Sequence, residues 1–480
     1  MNKIIIYISF ILICFSFLEA PLISENYFRI IFFPIIIIST IAYFNIRKKK
    51  FGKYYFFSIT PLFIFGYFIV YFQMHLIDVL GYKMNKNLHF WIWADDSTKN
   101  LSLQLSSFGL LAFYCGLITA KSKILKQKIS TSKTKLDSTK TLVVISYVSY
   151  FVFLASSGSY ILGEYTPEDA SPISSYSYKI FKVFLSSAIL VSIYNMKIYQ
   201  GKIVTFKKYL SFFSKPLFYL ITIFLALSLI VGDRGPIIYF LILTFSTYLI
   251  RVRKKIPFYF IIYFILSINL MSFVGDIRQS RGTGISYVQR IQNLIFLPNE
   301  EEKSIYEESI VGESTSELST SIRTLNYTIY NVPNKFNYTY GYYQIRNLIA
   351  VIPGMSTLYL NIFSNGEKKF DGASNFVTFL IQGERPTSGD GSSILVDFYL
   401  DFGKLGVLFG MFFFGFFINK NENKIIYGSN NKSFSWIAIM IYFSLSIYIS
   451  RSSLLLEFGN IILIFLSIKI NTYINNKNTI

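Results

Sequence analysis

The placement of arginine is the first chemical signal in this chain. Lysine outnumbers arginine 34 to 12. Yet Arg234, Arg278, Arg281, Arg290, Arg323, Arg346, Arg385 and Arg451 all fall in segments that the topology reading below places on one face of a membrane. Topology is indifferent to which cation supplies positive charge. Guanidinium differs from ammonium in being a rigid fork that grips carboxylate or phosphate at two points. A diphosphate or an acidic glycan at that face would select for arginine; structural ion pairs with nearby acids are the alternative. Arg234 sits in Gly232-Asp233-Arg234-Gly235-Pro236, between two apolar runs. Glycine and proline there end one helix and permit a tight reversal. An ionisable pair at membrane depth is a functional candidate, against the plainer reading of a snorkelling arginine paired with Asp233. Arg278 and Arg281, three apart, share a face if their segment is helical.

A second candidate is Gly383–Ser393, a Gly/Pro/Ser-rich loop containing Glu384 and Arg385 that runs into an apolar helix. Backbone N–H groups of such a loop, followed by a helix N-terminus, suit an anion. Asp397, Tyr399 and Asp401 follow in the first turns. Carboxylates at a helix start are often dipole partners, but Asp397 lies a turn inside. Gly403, Gly406, Gly410 and Gly415 then have the spacing of close helix packing. No Walker loop, GxSxG elbow or HExxH occurs, and His75 and His89 flank no plausible metal set. Trp91 and Trp93 read as an aromatic belt. Cys14 and Cys115 suggest neither a disulfide framework nor a metal site.

The elements that must carry these residues are membrane helices. The chain has 480 residues, 52% hydrophobic and only 15% charged, and its apolar residues gather in runs of spanning length. The runs predict helices near residues 4–20, 28–46, 54–73, 101–120, 141–158, 178–196, 217–232, 236–250, 257–275, 394–418, 433–450 and 454–470. This is an all-α polytopic bundle of about twelve transmembrane helices with one large external loop: 1–275 as helices one to nine, 276–393 as the loop, 394–480 as helices ten to twelve. A signal peptide needs small residues before its cleavage site. Here Leu18 and Glu19 precede Ala20, so an uncleaved first helix is expected.

Basic clusters at Arg47–Lys53, Lys121–Lys140, Lys197–Lys215, Arg251–Lys255 and Lys420–Lys432 follow every even-numbered helix. They place those loops and both termini in the cytoplasm. The same clustering assigns the net charge of +20 to orientation and excludes nucleic acid as the partner. Residues 276–393 hold ten basic and twelve acidic residues, so that loop is no polybasic patch. Within it, Leu348–Phe363 is apolar but too short and Pro/Gly-interrupted to span, and reads as interfacial or re-entrant.

Two stretches, IVGDRGPIIYFLI (Ile230–Ile242) and GDGSSILVDFYLDFGKLGVLFGMFFFG (Gly389–Gly415), resemble the O-antigen polymerase (Wzy) family, as do the helix layout and late outer loop. The chain departs from relatives in lacking an Arg–ten residues–Gly motif and in carrying Asp397 where many have Glu. The His–Glu–Tyr arrangement of O-antigen ligases is absent. The resemblance implies a GT-C-like, metal-independent glycosyltransferase without a cofactor, multi-pass in the bacterial inner membrane. It would join undecaprenyl-diphosphate-linked repeat units, as donor and acceptor, into O-antigen or capsular polysaccharide at the outer face. A flippase, a chain-length regulator and membrane lipid are the expected partners. On that reading Arg234 is catalytic and, with Arg278 and Arg281, holds the diphosphate. Arg346 and Arg385 bind diphosphate or glycan, Tyr399 lines the site, and Asp397 is the base, with Asp276 and Glu384 as rivals. A flippase or transporter of the same lipid-linked unit, or an O-antigen ligase, is the alternative function.

Overall fold

The computed structural model describes residues 1–17, 26–51, 58–82, 91–120, 138–157, 171–197, 206–231, 234–252, 315–352, 354–386, 388–426 and 433–477. Among these it is all helical. In chain order the helices are α1 (Asn2–Ser16), α2 (Asn26–Phe51), α3 (Ile59–Tyr71), α4 (Gln73–Val79), α5 (Asp96–Thr119), α6 (Lys140–Ser156), α7 (Pro172–Lys197), α8 (Phe206–Leu210), α9 (Lys215–Val231) and α10 (Arg234–Val252). They continue as α11 (Ser316–Ser319), α12 (Ile322–Asn331), α13 (Tyr342–Ile349), α14 (Met355–Ser364), α15 (Ala373–Gln382), α16 (Ile394–Ile426), α17 (Phe434–Ser444) and α18 (Phe458–Lys477). Eleven of the twelve expected apolar runs carry a described helix; 257–275 lies outside the described residues. Among the described residues, five helices are long and apolar enough to cross a membrane, and α3 with α4, bent by 48°, forms a sixth candidate. The run at 433–450 is helical only to Ser444, too short to span by itself.

The chain forms two compact units. The first comprises Met1–Leu125, Ser304–Asn423 and Ser446–Gly459. Its centre is α5, whose Leu110, Leu111, Ala112 and Phe113 are fully buried. Two glycine contacts explain how α5 lies so close to α16. A Cβ on Gly116 would strike the Phe412 carbonyl, and one on Gly415 the Phe113 carbonyl, so only glycine admits the backbones to each other. The described helices of the long loop, α11–α15, belong to this unit, with α12 packed on α5.

Arg47 is read from the sequence as opening a basic loop, but it lies within α2 and is buried. Its guanidinium grips Glu422 of α16 in a fork, Nη1–Oε2 at 2.7 Å and Nη2–Oε1 at 2.8 Å. Thr60 adds Oγ1–H to the same carboxylate at 3.3 Å. Burial of both ions is tolerated because each is paired and hydrogen-bonded.

The second unit comprises Lys126–Lys303, Lys424–Leu445 and Asn460–Ile480. Here α6 lies along α7, with Tyr150 stacked on Phe181 at 4.5 Å. Helix α9 returns as α10, and Phe224 meets Phe240 edge-on at 5.3 Å. Thus two helices, rather than one long one, carry this stretch, and Gly235 and Pro236, expected between them, lie in the first turn of α10. Ser187 and Ser467 hydroxyls join α7 to α18 at 2.6 Å.

Candidate functional site

The head of α16 gathers polar groups that apolar surroundings would otherwise expel. Asp390, buried, is fixed from two helices. Gln382 of α15 donates Nε2–H to Oδ2 at 2.6 Å, and the Asp390 backbone N–H donates to Thr378 Oγ1 at 3.0 Å. Arg323 of α12 pairs with Oδ1. The same guanidinium lies over the Trp91 ring, 3.5 Å from its centroid. Burial first, and then the charge of Arg451, lower the Arg323 pKa to about 10. Arg323 therefore remains cationic at neutral pH, with Tyr327 opposing the shift.

One residue further, Gly391 turns the loop with φ +81°, a conformation that favours glycine. Ser392 then donates Oγ–H to Asp397 Oδ1 at 2.6 Å, and Ser453 brings a second hydroxyl to this carboxyl. Asp397 is 2% exposed. Tyr71 Oη accepts the Leu395 N–H at 3.3 Å and donates to the Ser450 carbonyl at 2.8 Å. This ties the start of α16 to α3 and to the segment before α18.

Below this head the helix breaks. Phe402 (φ −142°) and Gly403 (φ 58°, ψ −138°) are non-helical, where the sequence pattern predicts one continuous helix. The loop before α13 takes up the interrupted groups. Thr339 N–H donates to the Leu400 carbonyl at 2.8 Å and Tyr340 N–H to the Asp401 carbonyl at 3.2 Å. The Asp401 side chain accepts Thr339 Oγ1–H at 2.6 Å and Gly341 N–H at 3.1 Å. A Cβ at position 403 would lie 2.8 Å from Tyr338 Oη. Gly406 and Gly410 face Phe398 across the break, so the spaced glycines serve a bend in one helix as well as packing between two.

Of the residues selected from sequence, Asp397 and Tyr399 stand together on α16. Tyr399 is buried and donates to the Val332 carbonyl at 3.3 Å. Arg346, on α13, is paired with Asp371. It bears on the same neighbourhood through Tyr343. Burial, then Tyr342 and the carboxylates Asp401 and Asp397, push this buried phenol well above its ordinary value, while Arg346 pulls it down. Arg385 is exposed in the loop, and Glu384 pairs with Lys369 at 3.1 Å. Arg234 is the first residue of α10 in the second unit. Gly232, Asp233, Asp276, Arg278 and Arg281 lie outside the described residues.

Sequence reasoning counted Arg323 in the outer arginine set without selecting it, and read Trp91 as a membrane-belt aromatic. Only the fold brings them together with Asp390. His75 is buried against Trp93 at 4.9 Å with Ser102 Oγ 3.1 Å from Nε2, a packed core histidine. Cys14 and Cys115 are free thiols. No group of three or more His, Cys, Asp or Glu that could hold a metal occurs among the described residues.

The pattern of a glycine-serine loop, a buried aspartate and a glycine-spaced apolar helix extends into a match over nearly the whole chain, residues 5–478, to the family described as O-antigen polysaccharide polymerase Wzy. The chain belongs to the Wzy family. No curated protein and no solved structure matches it. Wzy membership makes it an integral membrane protein of polysaccharide biosynthesis with a glycosyltransferase-like polymerase role. The apolar spans agree with that placement.

Proposed function

We propose that the chain joins oligosaccharide repeat units carried on undecaprenyl diphosphate at the outer face of the bacterial inner membrane, with Asp397 as general base. The observation that carries the assignment is the Asp397 carboxyl. It is buried at the head of a membrane helix and held by the Ser392 hydroxyl, beneath a loop that Arg323 and Asp390 keep in place. The acceptor sugar's hydroxyl oxygen bonds to the anomeric carbon of the donor glycan. The bond from that carbon to the diphosphate oxygen breaks, and undecaprenyl diphosphate leaves with the electron pair. The hydroxyl proton passes to Asp397 through Ser392 Oγ, whose own hydrogen already points at the carboxylate.

Negative charge accumulates on the leaving diphosphate, and forked cations suit it. Arg234, Arg278 and Arg281 are proposed for that role, with Arg346 and Arg385 on diphosphate or glycan and Tyr399 shaping the site. Arginine supplies the charge that a divalent ion supplies elsewhere, so the reaction is proposed to need no metal. The basic even-numbered loops support cytoplasmic termini.

Transport of the same lipid-linked unit is the second reading. The buried Arg47–Glu422 pair is the observation favouring it, because intramembrane charge marks many transport paths. The pair is already satisfied by its own neighbours, which fits a structural clasp better.

The test replaces Asp397 in cells lacking their own polymerase. At matched protein level, Asp397→Asn is expected to leave single-repeat glycans, and Asp397→Glu to restore part of the long-chain ladder. A normal ladder from Asp397→Asn would remove this residue from the chemistry.

A further inference from the structure

Helices α13 and α14 form a hairpin with an unusual surface. No charged residue occurs between Arg346 and Glu367, the stretch whose apolar part reads from sequence as interfacial or re-entrant. The structure breaks it between α13, which runs from Tyr342 to Ile349, and α14 (Met355–Ser364), helices of 8 and 10 residues. Ten residues of helix reach about 15 Å, half of a bilayer core of about 30 Å. Gly354 (φ +81°) turns the chain, and Asn365 and Gly366, both left-handed, stop it.

One side of the hairpin is closed. Tyr343, Asn347 and Leu360 are buried, Tyr342 meets Tyr359 at 5.0 Å, and Ser364 Oγ donates to Tyr342 Oη at 2.8 Å. The other side is open and mainly apolar: Ile345, Leu348, Ile352, Leu358, Ile362 and Phe363 are each between 41% and 64% exposed, with Thr357 and Asn361 exposed beside them. A contiguous patch of this kind marks an interaction surface.

Its neighbour says what covers it. Leu405, Phe409 and Phe413, 54–62% exposed, form an i, i+4 stripe on α16, one of the helices able to cross a membrane. On a helix that crosses a membrane, an exposed apolar stripe of this kind is the side that meets lipid. The stripe continues through Phe402 to Tyr340, ring centroids 6.3 Å apart, immediately before α13. The open face of the hairpin is therefore an extension of a lipid-contacting surface. Cations stand at the edge of it, as they do at headgroup level: Arg346, which its pairing with Asp371 brings to the same end of the hairpin as Lys368 and Lys369.

We infer that the α13–α14 hairpin is a monotopic element whose apolar face lies among the acyl chains of one bilayer leaflet, beside the break in α16. Through Gly341 N–H on Asp401, lipid contact at the hairpin bears on the segment of α16 that carries Asp397. The hairpin would hold the helix break at the depth where a lipid-linked substrate presents its headgroup.

The test uses the full chain, with Cys14 and Cys115 changed to serine, in vesicles of phosphatidylethanolamine and phosphatidylglycerol. Nitroxides are attached at Ile345→Cys, Leu358→Cys, Ile362→Cys and, separately, Lys368→Cys. The first three are expected to collide with oxygen and to be shielded from a water-soluble nickel chelate, with the reverse at Lys368. Phe363→Trp provides a second variant, expected to be quenched by lipids brominated near the headgroup end of the acyl chain. Collision with nickel at the apolar sites would overturn the inference. So would shielding from both reagents, which would mean a protein cover such as a second copy, or shielding that arises only when undecaprenyl diphosphate is added.

Discussion

Arg323 is held by charge pairing to Asp390 and by stacking on Trp91, which offset the cost of its removal from water. Lysine can pair with Asp390, but it lacks the flat fork that stacks face to face on the ring. A stacked cation contributes roughly 0.5–2 kcal/mol. Arg323→Lys is thus expected to loosen the loop before α16 and to reduce polymer output several-fold with insertion intact; equal ladders from Arg323→Lys and the parent chain would show that the stacking is idle. Arg234 belongs to the same class of test. Placed at the first turn of α10 after Gly232, it is proposed to grip diphosphate through both arms of its fork. A charge-assisted hydrogen bond contributes about 1.5–3 kcal/mol, so losing one in the transition state costs roughly 10–150-fold in rate. Arg234→Lys should leave mostly single-repeat glycans at matched abundance, whereas a snorkelling anchor would be served equally well by lysine. Residue type and the bias of arginine toward one set of loops were legible for both. The Arg323 partners were not, since Trp91, Arg323 and Asp390 are far apart in sequence and meet only through the packing of α12 and α15.

Helix α16 shows what apolar patterning can and cannot convey. Its position followed from a long apolar run, and its glycines followed from their spacing. The break at Phe402–Gly403 did not, because it depends on a loop some sixty residues earlier that supplies Thr339, Tyr340 and Gly341 as replacement partners. Gly403→Ala would place a methyl against Tyr338 in a backbone conformation hostile to L-residues. It should lower the thermal midpoint in detergent and weaken activity, and an unchanged midpoint would mean that the break is not required. Of the helical segments of the long loop only Leu348–Phe363 gave a sequence signal; its other short helices, among them α12 packed on α5, carry none of membrane length. The far end of α16 offers a cleaner energetic test. Removing one partner of a buried ion pair costs about 3–5 kcal/mol, whereas replacing both with apolar groups is often neutral. Glu422→Gln should therefore melt well below the parent, and the double change Arg47→Met with Glu422→Leu should recover most of the loss. A double variant as weak as the single one would show that the pair itself contributes stability.

At the scale of the molecule, charge asymmetry and apolar runs made the membrane class readable, and the stretches Ile230–Ile242 and Gly389–Gly415 carried the resemblance to the family, whose match covers nearly all of the chain. The division into two units that interleave along the sequence was not readable, because it depends on which helices pack together rather than on where each lies. The proposed topology is checked by reporters: fusions at Lys128 and Lys254 should report cytoplasm, and those at Pro167 and Lys335 the outside. An outside signal at Lys254 would overturn the proposed crossing pattern at Gly232–Pro236. The central claim is that this chain by itself forms glycosidic bonds between lipid-linked repeat units. Its direct measurement is the product distribution from purified chain in vesicles, given undecaprenyl-diphosphate-linked oligosaccharide and an excess of chelator. The account predicts a ladder of multiples of the repeat, with one undecaprenyl diphosphate released for each new bond. Repeat units that cross the bilayer without being joined, or joining that resumes only when a divalent ion is restored, would contradict it.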